Sequence, residues 1–423
     1  MSFFGYFNDI EFLEPGVKKM SSKKIRLGFI GAGAFISARH LKTAGETPYM
    51  EIRAIADLDR ERLAEHQKKY QIGYVTDDYR KLLADPEIDL IVIGTKQDTH
   101  ARLIIESLNA GKWVWCEKPM CETREEEAAI LEAEKNAAGR LAIGFNRRFA
   151  PAILKIRQVL TKLPRPWIIS YRLQSANSYN KNSRNSFYHG RPHIIYEGCH
   201  ILDLAAFLME SQPERVFMSG TDDENDIVTM EYPDGSRFVL VITSRAGGIG
   251  LEKEMMEVFT PGGAMSLRDF VELRIRGIEG EHDHLFEPQR CPFGKEVLRW
   301  GLDFWQRLCN RLVWEDIPVN KGLVPIRLAP EEQPFSDEIE QIAAPYAGLD
   351  WRERNFECDK GWIGAFRHFA EAFMNQTQPA TADGMAGKMA NDLGFALLES
   401  KKTGIPVNFL KYQTDVSASE DGF

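Results

Sequence analysis

Residues 25–36 read IRLGFIGAGAFI, a run that is apolar apart from Arg26 and that leads into a glycine-rich turn. The run predicts a buried strand over 25–30, and a helix follows the turn to about Ala44. The alternation of strand and helix recurs roughly every 20–30 residues up to residue 149, which is typical of a parallel sheet with helices on both faces. Further strands are expected at 51–57, 89–95, 113–116 and 141–145, and helices at 59–69, 100–110 and 123–138. Residues 25–149 are therefore predicted to form one doubly wound α/β domain.

The glycine-rich turn has the spacing of a dinucleotide fingerprint. Gly31 allows the tight turn, and Gly33 lets the backbone approach a pyrophosphate at the N-terminus of the following helix. The third fingerprint position is Ile36 instead of glycine or alanine, so we expect a slight displacement of the helix from the sheet. The second strand ends in Asp57, whose carboxylate suits the ribose hydroxyls of a dinucleotide and repels a 2′-phosphate. The alternative is that Asp57 is a plain turn residue at the end of the strand. NAD is therefore the predicted cofactor, and NADP is the alternative that the nearby Arg60 favours.

The sequence after Pro151 has a different pattern. Short strand-like runs follow one another with turns between them, and Asp234-Gly235 is a hairpin signal between two of the runs. They predict a mostly antiparallel open sheet, interrupted by a helix over 193–209 and followed by a helical block over 361–403. The runs are 167–175, 226–232, 237–244, 254–260 and 271–276, after a helix at 152–163. The predicted fold class is α/β, with an N-terminal Rossmann domain and a C-terminal α+β domain that carries the open sheet.

The predicted domain organisation has four parts, with an insertion in the third. The parts are an N-terminal arm (1–24), the Rossmann domain (25–149), the C-terminal domain (150–410) and a tail (411–423). The tail is polar and acidic, and we expect it to be disordered. The insertion, about 285–358, has apolar residues at helical spacing over 295–314 with arginines opposite them. This pattern predicts a helix that packs on the sheet or on a second subunit, with a partner or membrane-surface contact as the alternative.

The composition excludes several classes of protein. The 423 residues include 53 Lys and Arg against 62 Asp and Glu, a formal net charge of −9, so no global basic field is present to bind nucleic acid. A hydrophobic content of 43% supplies packed cores and excludes wholesale disorder. The six cysteines form no Cys-x-x-Cys pair, and we expect neither a signal peptide nor a transmembrane segment. Reduced thiols in a cytoplasmic protein are therefore expected.

Glu117-Lys118-Pro119 follows the predicted strand 113–116. Ligands of an open α/β sheet bind beyond the carboxyl ends of its strands, so this tripeptide is expected to face the cofactor crevice. A lysine flanked by apolar strand residues loses part of its hydration, which lets its amine exchange a proton or stabilise an alkoxide. The alternative is a surface lysine in a turn.

Glu197, His200 and Asp203 recur at helical spacing within the predicted helix 193–209, so we expect them to share one stripe of that helix. A histidine with a near-neutral pKa suits the transfer of a hydroxyl proton. A buried core histidine is the plain alternative. No metal is predicted, because no further His, Cys or carboxylate cluster with the spacing of metal ligands is visible.

The order of these motifs resembles the Gfo/Idh/MocA oxidoreductase family, which includes glucose–fructose oxidoreductase and inositol dehydrogenase. The resemblance covers about 25–280 and 359–410, and it is closest to the branch found in two-domain oxidoreductases of polysaccharide metabolism. The motifs that carry it are Gly31-Ala-Gly33 with Asp57, Gly94-Thr95 with His100, Ala110-Gly111-Lys112, Glu117-Lys118-Pro119, the run 144–149 (GFNRRF), Glu197-Gly-Cys-His200-x-x-Asp203, Lys360-Gly361 and the run 402–407. The Glu-Lys-Pro and His-x-x-Asp motifs together are the most specific.

The resemblance implies reversible hydride transfer between NAD(P) and a hydroxyl of a sugar or sugar derivative, nucleotide-linked or anionic sugars included. It implies that Lys118 contacts the reacting hydroxyl and that His200 is the acid–base group. Many members carry an aspartate four residues before this histidine; here the position is Tyr196, and Glu197 is expected to replace the aspartate as a third catalytic residue. The family's C-terminal sheet commonly forms the oligomer interface, which implies a homodimer or homotetramer.

The remaining candidate site residues are divided between the cofactor and the sugar. The cofactor is expected to contact Gly31, Gly33, Ala34, Phe35, Ile36, Asp57, Thr95, Lys96, His100, Glu117, Lys118 and Arg148. The sugar is expected to contact Asn146, Tyr179, Arg184, Tyr196 and Asp203. Tyr179 and Arg184 lie in a polar loop, 174–191, whose alternative is a solvated loop without a ligand.

Two other functions remain open. Some glycosidase and isomerase members of the family keep NAD bound and use it catalytically, without net formation of NADH. A non-catalytic sugar or NAD sensor, or a scaffold, is the second alternative. The retained Lys118 and His200 argue against a sensor, whereas Ile36 and Tyr196 depart from the family pattern and favour it.

Overall fold

A computed structural model describes residues 24–174, 192–221, 225–243, 252–289 and 357–420, with side chains up to residue 414. The predicted arm up to residue 23, Tyr179, Arg184 and the predicted helix 295–314 lie outside these residues, as does most of the insertion. The chain packs as two compact units. Among the described residues, the first unit comprises 24–149, 194–212 and 361–395, and the second comprises the described parts of 150–193, of 213–360 and of the chain from 396 to 420. Each unit is built from several separate segments of the chain, whereas the domains predicted from the sequence are continuous segments. The predicted domain boundaries therefore stay a proposal.

The elements of the described residues are numbered in chain order. The strands are β1 Ile25–Ile30, β2 Met50–Ala56, β3 Tyr74–Thr76, β4 Leu90–Ile93, β5 Trp113–Cys116, β6 Leu141–Ile143, β7 Ile168–Gln174, β8 Arg215–Gly220, β9 Asp226–Glu231, β10 Arg237–Thr243, β11 Glu254–Thr260, β12 Gly263–Arg268, β13 Glu272–Arg276, β14 His284–Leu285 and β15 Val407–Asn408. The helices are α1 Ala34–Ile36, α2 Lys42–Glu46, α3 Arg60–Tyr70, α4 Arg80–Ala84, α5 His100–Asn109, α6 Arg124–Asn136, α7 Pro151–Leu160, α8 His193–Tyr196, α9 Cys199–Met209, α10 Trp362–Asn375, α11 Gly384–Thr403 and α12 Phe409–Glu420. A π-helical turn, Ser37–Leu41, joins α1 to α2, and short 3-10 helices lie at Gln97–Thr99 and Asn146–Phe149.

The first unit contains a six-stranded sheet in the order β3-β2-β1-β4-β5-β6, with every pair parallel. The doubly wound sheet predicted from the sequence is confirmed. Its core includes Trp113 and Trp115 of β5, which pack against Phe366 and Phe369 of α10. The predicted helical block at the end of the chain therefore contributes to the core of the N-terminal sheet.

The second unit contains a nine-stranded sheet in the order β14-β13-β12-β11-β7-β10-β9-β8-β15. Among its described strands, β7 and β10 run parallel, whereas the other neighbouring pairs are antiparallel. The mostly antiparallel open sheet predicted from the sequence is confirmed. Along β10 buried and partly exposed residues alternate, so one face of the sheet forms a core and the other remains accessible within the single chain.

The predicted single helix over 193–209 is wrong, because the structure divides it into α8 and α9. Glu197 and Gly198 form a turn between them. A Cβ added to Gly198 would lie 2.7 Å from the Ile194 carbonyl oxygen, so this close turn has no room for a side chain. The predicted stripe of Glu197, His200 and Asp203 is wrong for the same reason, since Glu197 lies outside α9.

The expected disorder of the tail is also wrong over residues 411–420, which belong to α12. Phe409 at the start of α12 is fully buried, and the Asn408 side chain accepts the backbone N–H of Lys411. Burial and this cap therefore stabilise the helix, whereas the prediction considered only the polar composition. Within the described residues, every helix is too short or too polar to span a bilayer.

Candidate active site

The parallel strands of the first unit all end at one edge of their sheet. Gly31 follows β1, Thr95 follows β4, Lys118 follows β5 and Asn146 follows β6. The carboxyl edge of an open parallel sheet is where ligands bind. This edge is therefore the candidate site, and it collects residues from four of the predicted motifs.

The turn after β1 has the backbone that a dinucleotide requires. Gly31 has a φ of +91°, and a Cβ there would lie 2.5 Å from the Gly94 carbonyl oxygen, so only glycine fits. A Cβ at Gly33 would meet no atom within 4 Å, and Ala34 and Phe35 are exposed. The turn thus presents open backbone at the N-terminus of the following helix, which is a fitting cradle for a pyrophosphate.

Ile36, at the third position of the fingerprint, is buried against Gly94. A Cβ on Gly94 would lie 2.1 Å from two side-chain carbons of Ile36. Because Gly94 has no side chain, there is room for the Ile36 side chain next to it. We had expected the helix to move away from the sheet to provide this room.

Replacing Gly94 by alanine should lower the free energy of unfolding by about 1–3 kcal/mol, because the new methyl group would overlap Ile36. Urea unfolding followed by tryptophan fluorescence measures this loss. In an Ile36→Ala background the same replacement should cost less than about 0.5 kcal/mol, since the obstructing carbons are gone. An equal loss in both backgrounds would contradict the contact.

Asp57 connects the end of β2 to the glycine-rich turn. Its carboxylate accepts the N–H of Ala32 at 2.7 Å and the N–H of Asp59 at 2.9 Å, and Arg62 Nη1 lies 3.6 Å away. The next residue, Leu58, is a large apolar side chain that is 87% exposed. Sequence reasoning missed Leu58, although its place directly after the strand-end acid was visible.

Lys118 lies in the turn after β5, before a cis peptide bond to Pro119. Its Nζ donates to the carbonyl oxygen of Tyr196 at 2.8 Å and lies 3.4 Å from Glu197 Oε2. The structure thus brings the predicted residues Lys118 and Glu197 together. It does so through the turn between α8 and α9 and not through a helical stripe.

His200 lies in the first turn of α9, with only 7% of its surface exposed. Its ring meets the ring of Phe145 edge-on, with centroids 6.1 Å apart, and Phe145 follows β6. Because β6 pairs with β5, His200 contacts a residue that follows the strand next to the one that Lys118 follows. The adjacent Cys199 thiol has its pKa raised to about 12 by burial, so it is a poor nucleophile.

Glu117 faces the helix that follows the glycine-rich turn. It accepts hydrogen bonds from His40 Nε2 at 2.6 Å and Trp115 Nε1 at 3.2 Å. Burial would raise the pKa of Glu117, but the hydrogen bond and charge of His40, the Trp115 hydrogen bond and the charge of Lys118 together hold it below its usual value. Its carboxylate also packs against Gly144, where a Cβ would lie 2.8 Å from Oε1. Glu117 therefore connects the turn after β5 with His40, in the π-helical turn, and with Gly144, after β6. Its predicted cofactor contact stays a prediction.

Arg148 and Asp203 form a buried ion pair. Arg148 Nε donates to Asp203 Oδ2 at 2.8 Å, and Nη2 donates to Oδ1. The two residues are 3% and 1% exposed, and the guanidinium lies 5.3 Å from the Phe207 ring centre. Asn146 is buried as well. The predicted ligand contacts of these three residues stay predictions, while the ion pair itself fixes α9 to the loop after β6.

The loop after β4 and the first residue of α5, His100, lie beside the turn that carries Lys118. His100 is buried, and its Nδ1 lies 2.8 Å from the Pro119 carbonyl oxygen. Burial lowers the pKa of His100, so the ring is neutral. Thr95 and Thr99 share a hydroxyl hydrogen bond of 2.6 Å, and Lys96 is exposed. No group of three or more His, Cys, Asp or Glu side chains in the described part of the chain is arranged to hold a metal ion.

Glu122 is a second residue that sequence reasoning missed. The Tyr196 hydroxyl donates to Glu122 Oε1 at 2.5 Å, so the phenol is directed at the turn after β5. The position of Glu122, four residues beyond Lys118 on the same turn, was the available signal. The predicted sugar contact of Tyr196 stays a prediction.

Parts of the chain are similar to known proteins. Residues 25–145 match the model of an oxidoreductase family described as having an NAD-binding Rossmann fold. An uncharacterized oxidoreductase of Bacillus subtilis, YrbE, is 29% identical over 308 residues, which cover 66% of this chain and 86% of that protein. An inositol 2-dehydrogenase of Salmonella typhimurium is 25% identical over 241 residues, which cover 56% of this chain and 67% of that enzyme.

Solved structures show the same fold. An oxidoreductase of Agrobacterium radiobacter, crystallised with NAD+, L-tartaric acid and magnesium, superposes with a TM-score of 0.66 at 16% identity. The match covers 92% of this chain and 99% of that one. At this identity the likeness concerns the fold, and it extends over both sheets.

Proposed function

The chain belongs to the Gfo/Idh/MocA family of NAD-binding oxidoreductases, and we propose that it oxidises a secondary hydroxyl of a neutral sugar or cyclic polyol. The observation that carries the proposal is the pairing of Lys118 with Glu197 and the Tyr196 carbonyl, with His200 of α9 packed against Phe145 after the neighbouring strand β6. A cation and a proton acceptor at the carboxyl edge of the sheet are the groups that alcohol oxidation needs.

The mechanism assigns one task to each of three side chains. Lys118 donates to the hydroxyl oxygen and stabilises the negative charge that develops there, while His200 accepts the hydroxyl proton. Glu197 is the anionic partner of the Lys118 side chain and fixes its direction. NAD, when bound, supplies the acceptor for the hydride of the carbinol carbon, so the alcohol becomes a carbonyl and one proton is released.

Residues of the glycine-rich turn and residues directly after β2 would hold the cofactor. The tight turn at Gly31 and the open backbone at Gly33 suit the pyrophosphate, and Asp57 suits the adenosine ribose. The exposed Leu58 offers an apolar surface for the adenine ring.

The charges of the described site residues support a neutral substrate. Lys118 is 3.4 Å from Glu197, and Arg148 is paired with Asp203, so each of these cations already has an anionic partner. A carboxylate or phosphate on the substrate would therefore compete with Glu197 or Asp203. A nucleotide-linked or anionic sugar is the alternative, and it requires further cations from the polar loop 174–191.

The test is a turnover screen with purified protein and NAD. Neutral cyclic polyols and sugars, sugar acids and nucleotide sugars are compared by NADH absorbance. NADH formation from a neutral polyol supports the proposal, and preference for an acidic sugar contradicts its neutral-substrate part. Copurified NAD without net NADH indicates an NAD-retaining glycosidase or isomerase, whereas sugar binding without any conversion indicates a sensor.

Replacing Asp57 by asparagine should shift the cofactor preference toward NADP. The amide oxygen still accepts from Ala32 N–H, while the hydrogen bond from Asp59 N–H and the charge that repels a 2′-phosphate are lost. We expect the Kd of NADP to fall about ten-fold, which corresponds to about 1.4 kcal/mol, and the Kd of NAD to rise. Isothermal titration measures both, with Glu51→Gln at the exposed start of β2 as a charge-matched control. Unchanged Kd values for both cofactors would place the ribose elsewhere.

The accessible face of the nine-stranded sheet supports self-association. Ile168, Ile227 and Phe259 lie on this face and are each about half exposed. A second copy would cover this apolar surface, so we propose a homodimer or homotetramer formed through the sheet. Light scattering after size exclusion tests it, and a monomer at micromolar concentration contradicts it.

The cytoplasmic location stays a prediction.

A further inference from the structure

Tyr196 contacts the turn after β5 at two points. Its backbone carbonyl accepts from Lys118 Nζ at 2.8 Å, and its hydroxyl donates to Glu122 Oε1 at 2.5 Å. Lys118 and Glu122 belong to the same turn, so a single residue at the end of α8 is held by both ends of that turn. Tyr196 is 4% exposed, which shields both hydrogen bonds from water.

Glu122 is itself fixed to the start of α6. Its backbone N–H donates to Glu126 Oε2 at 2.9 Å, and Glu126 forms the capping box of α6 with Thr123. The carboxylate that receives the Tyr196 hydroxyl is therefore anchored to a long helix. By contrast, α8 is a four-residue helix that ends at the turn of Glu197 and Gly198, so it has few hydrogen bonds of its own.

We propose that Glu122 and Tyr196 are positioning residues for Lys118, an inference that rests on the proposed function. A lysine side chain has four rotatable bonds, and its ammonium group must be fixed to stabilise a developing alkoxide. The Tyr196 hydroxyl holds the end of α8 against Glu122, and this fixes the carbonyl to which Lys118 donates. The aspartate that the family resemblance places at position 196 is thus replaced by a residue that acts through its backbone oxygen.

The test compares Tyr196→Phe, Glu122→Ala, the double variant and the conservative Glu122→Gln. Each of the first two should lower kcat on the best polyol about 10- to 100-fold with KM changed little, because a misplaced Lys118 loses transition-state contact. The double variant should be no worse than either single one, since both remove the same hydrogen bond. Glu122→Gln keeps an acceptor and should recover most of the loss.

A second readout does not depend on turnover. Trace acetylation of Lys118, measured by mass spectrometry relative to the exposed Lys135, should be about three- to ten-fold faster in Tyr196→Phe, because its amine is held less firmly. Tyr49→Phe is the matched control. It removes a 2.5 Å hydrogen bond to Glu371 at the opposite edge of the same sheet and should change neither kcat nor the labelling of Lys118.

The outcomes separate this proposal from the proposed function. If the wild-type protein turns over a polyol, but labelling and kcat of Tyr196→Phe equal those of wild type, the positioning role is overturned and the function stands. If labelling responds as expected but no sugar is oxidised, the positioning role stands and the function fails. A loss of kcat in the double variant equal to the product of the two single losses would also overturn the proposal.

Discussion

Replacing Lys118 by methionine should lower kcat for the oxidation of the best polyol by about 10³-fold, with little change in the Kd of NAD. Methionine keeps the length of the side chain but removes the donor and the charge that stabilise the developing alkoxide. It also leaves the Glu197 carboxylate, 12% exposed, without this cationic partner. Initial rates of NADH formation measure kcat, and isothermal titration measures the Kd.

Lys135→Met is the control, because Lys135 is 77% exposed on α6 and should leave kcat within about two-fold of wild type. Ethylamine added to Lys118→Ala should restore part of the lost activity by supplying the missing ammonium group. Turnover of Lys118→Met within a few-fold of wild type would contradict the proposed role of this residue.

Replacing Arg148 by methionine should destabilise the protein by about 3–5 kcal/mol, because Asp203 would be left as an unpaired buried charge. Urea unfolding measures the change. Combining it with Asp203→Leu should restore most of the stability, since neither charge then remains. A normal free energy of unfolding with a raised Kd of NAD would instead support the cofactor contact predicted from the sequence.

Arg26→Met is the matched control for this prediction. Arg26 binds Asp89 with two hydrogen bonds of 3.1 and 3.0 Å, so the geometry resembles that of Arg148 with Asp203. Its side chain is 26% exposed, so water screens the pair and the loss should be only about 1 kcal/mol. The difference between the two variants then measures the effect of burial.

The first sheet could be predicted because its strands are buried on both faces. Residues 25–30 are apolar apart from Arg26, residues 113–116 are an unbroken apolar run, and the structure gives both strands with the predicted bounds. The three-residue strand β3 was not predicted, because Tyr74–Thr76 is too short to show a pattern. The packing of α10 on this sheet was not predicted either, since nothing local in the sequence indicates which sheet a helix will cover.

For the candidate site, the sequence indicated which residues lie at this edge of the sheet but not how they contact one another. Glu197 was expected near the catalytic groups because of its spacing from His200, but that spacing assumed a continuous helix. The break at Gly198 depends on its contact with Ile194, and the pairing of Arg148 with Asp203 spans 55 residues. Contacts of this kind depend on the folded chain and have no periodic signature in the sequence.

Transfer of deuterium from substrate to cofactor tests the central claim most directly. The protein is incubated with NAD and a cyclic polyol deuterated at every carbinol carbon, and the cofactor is recovered for mass spectrometry and proton NMR. Alcohol oxidation at this site predicts NADH with one deuterium at C4 of the nicotinamide, formed by wild type and lost in Lys118→Met. Unlabelled NADH, or a polyol converted with no deuterium ever reaching the nicotinamide, would contradict the account.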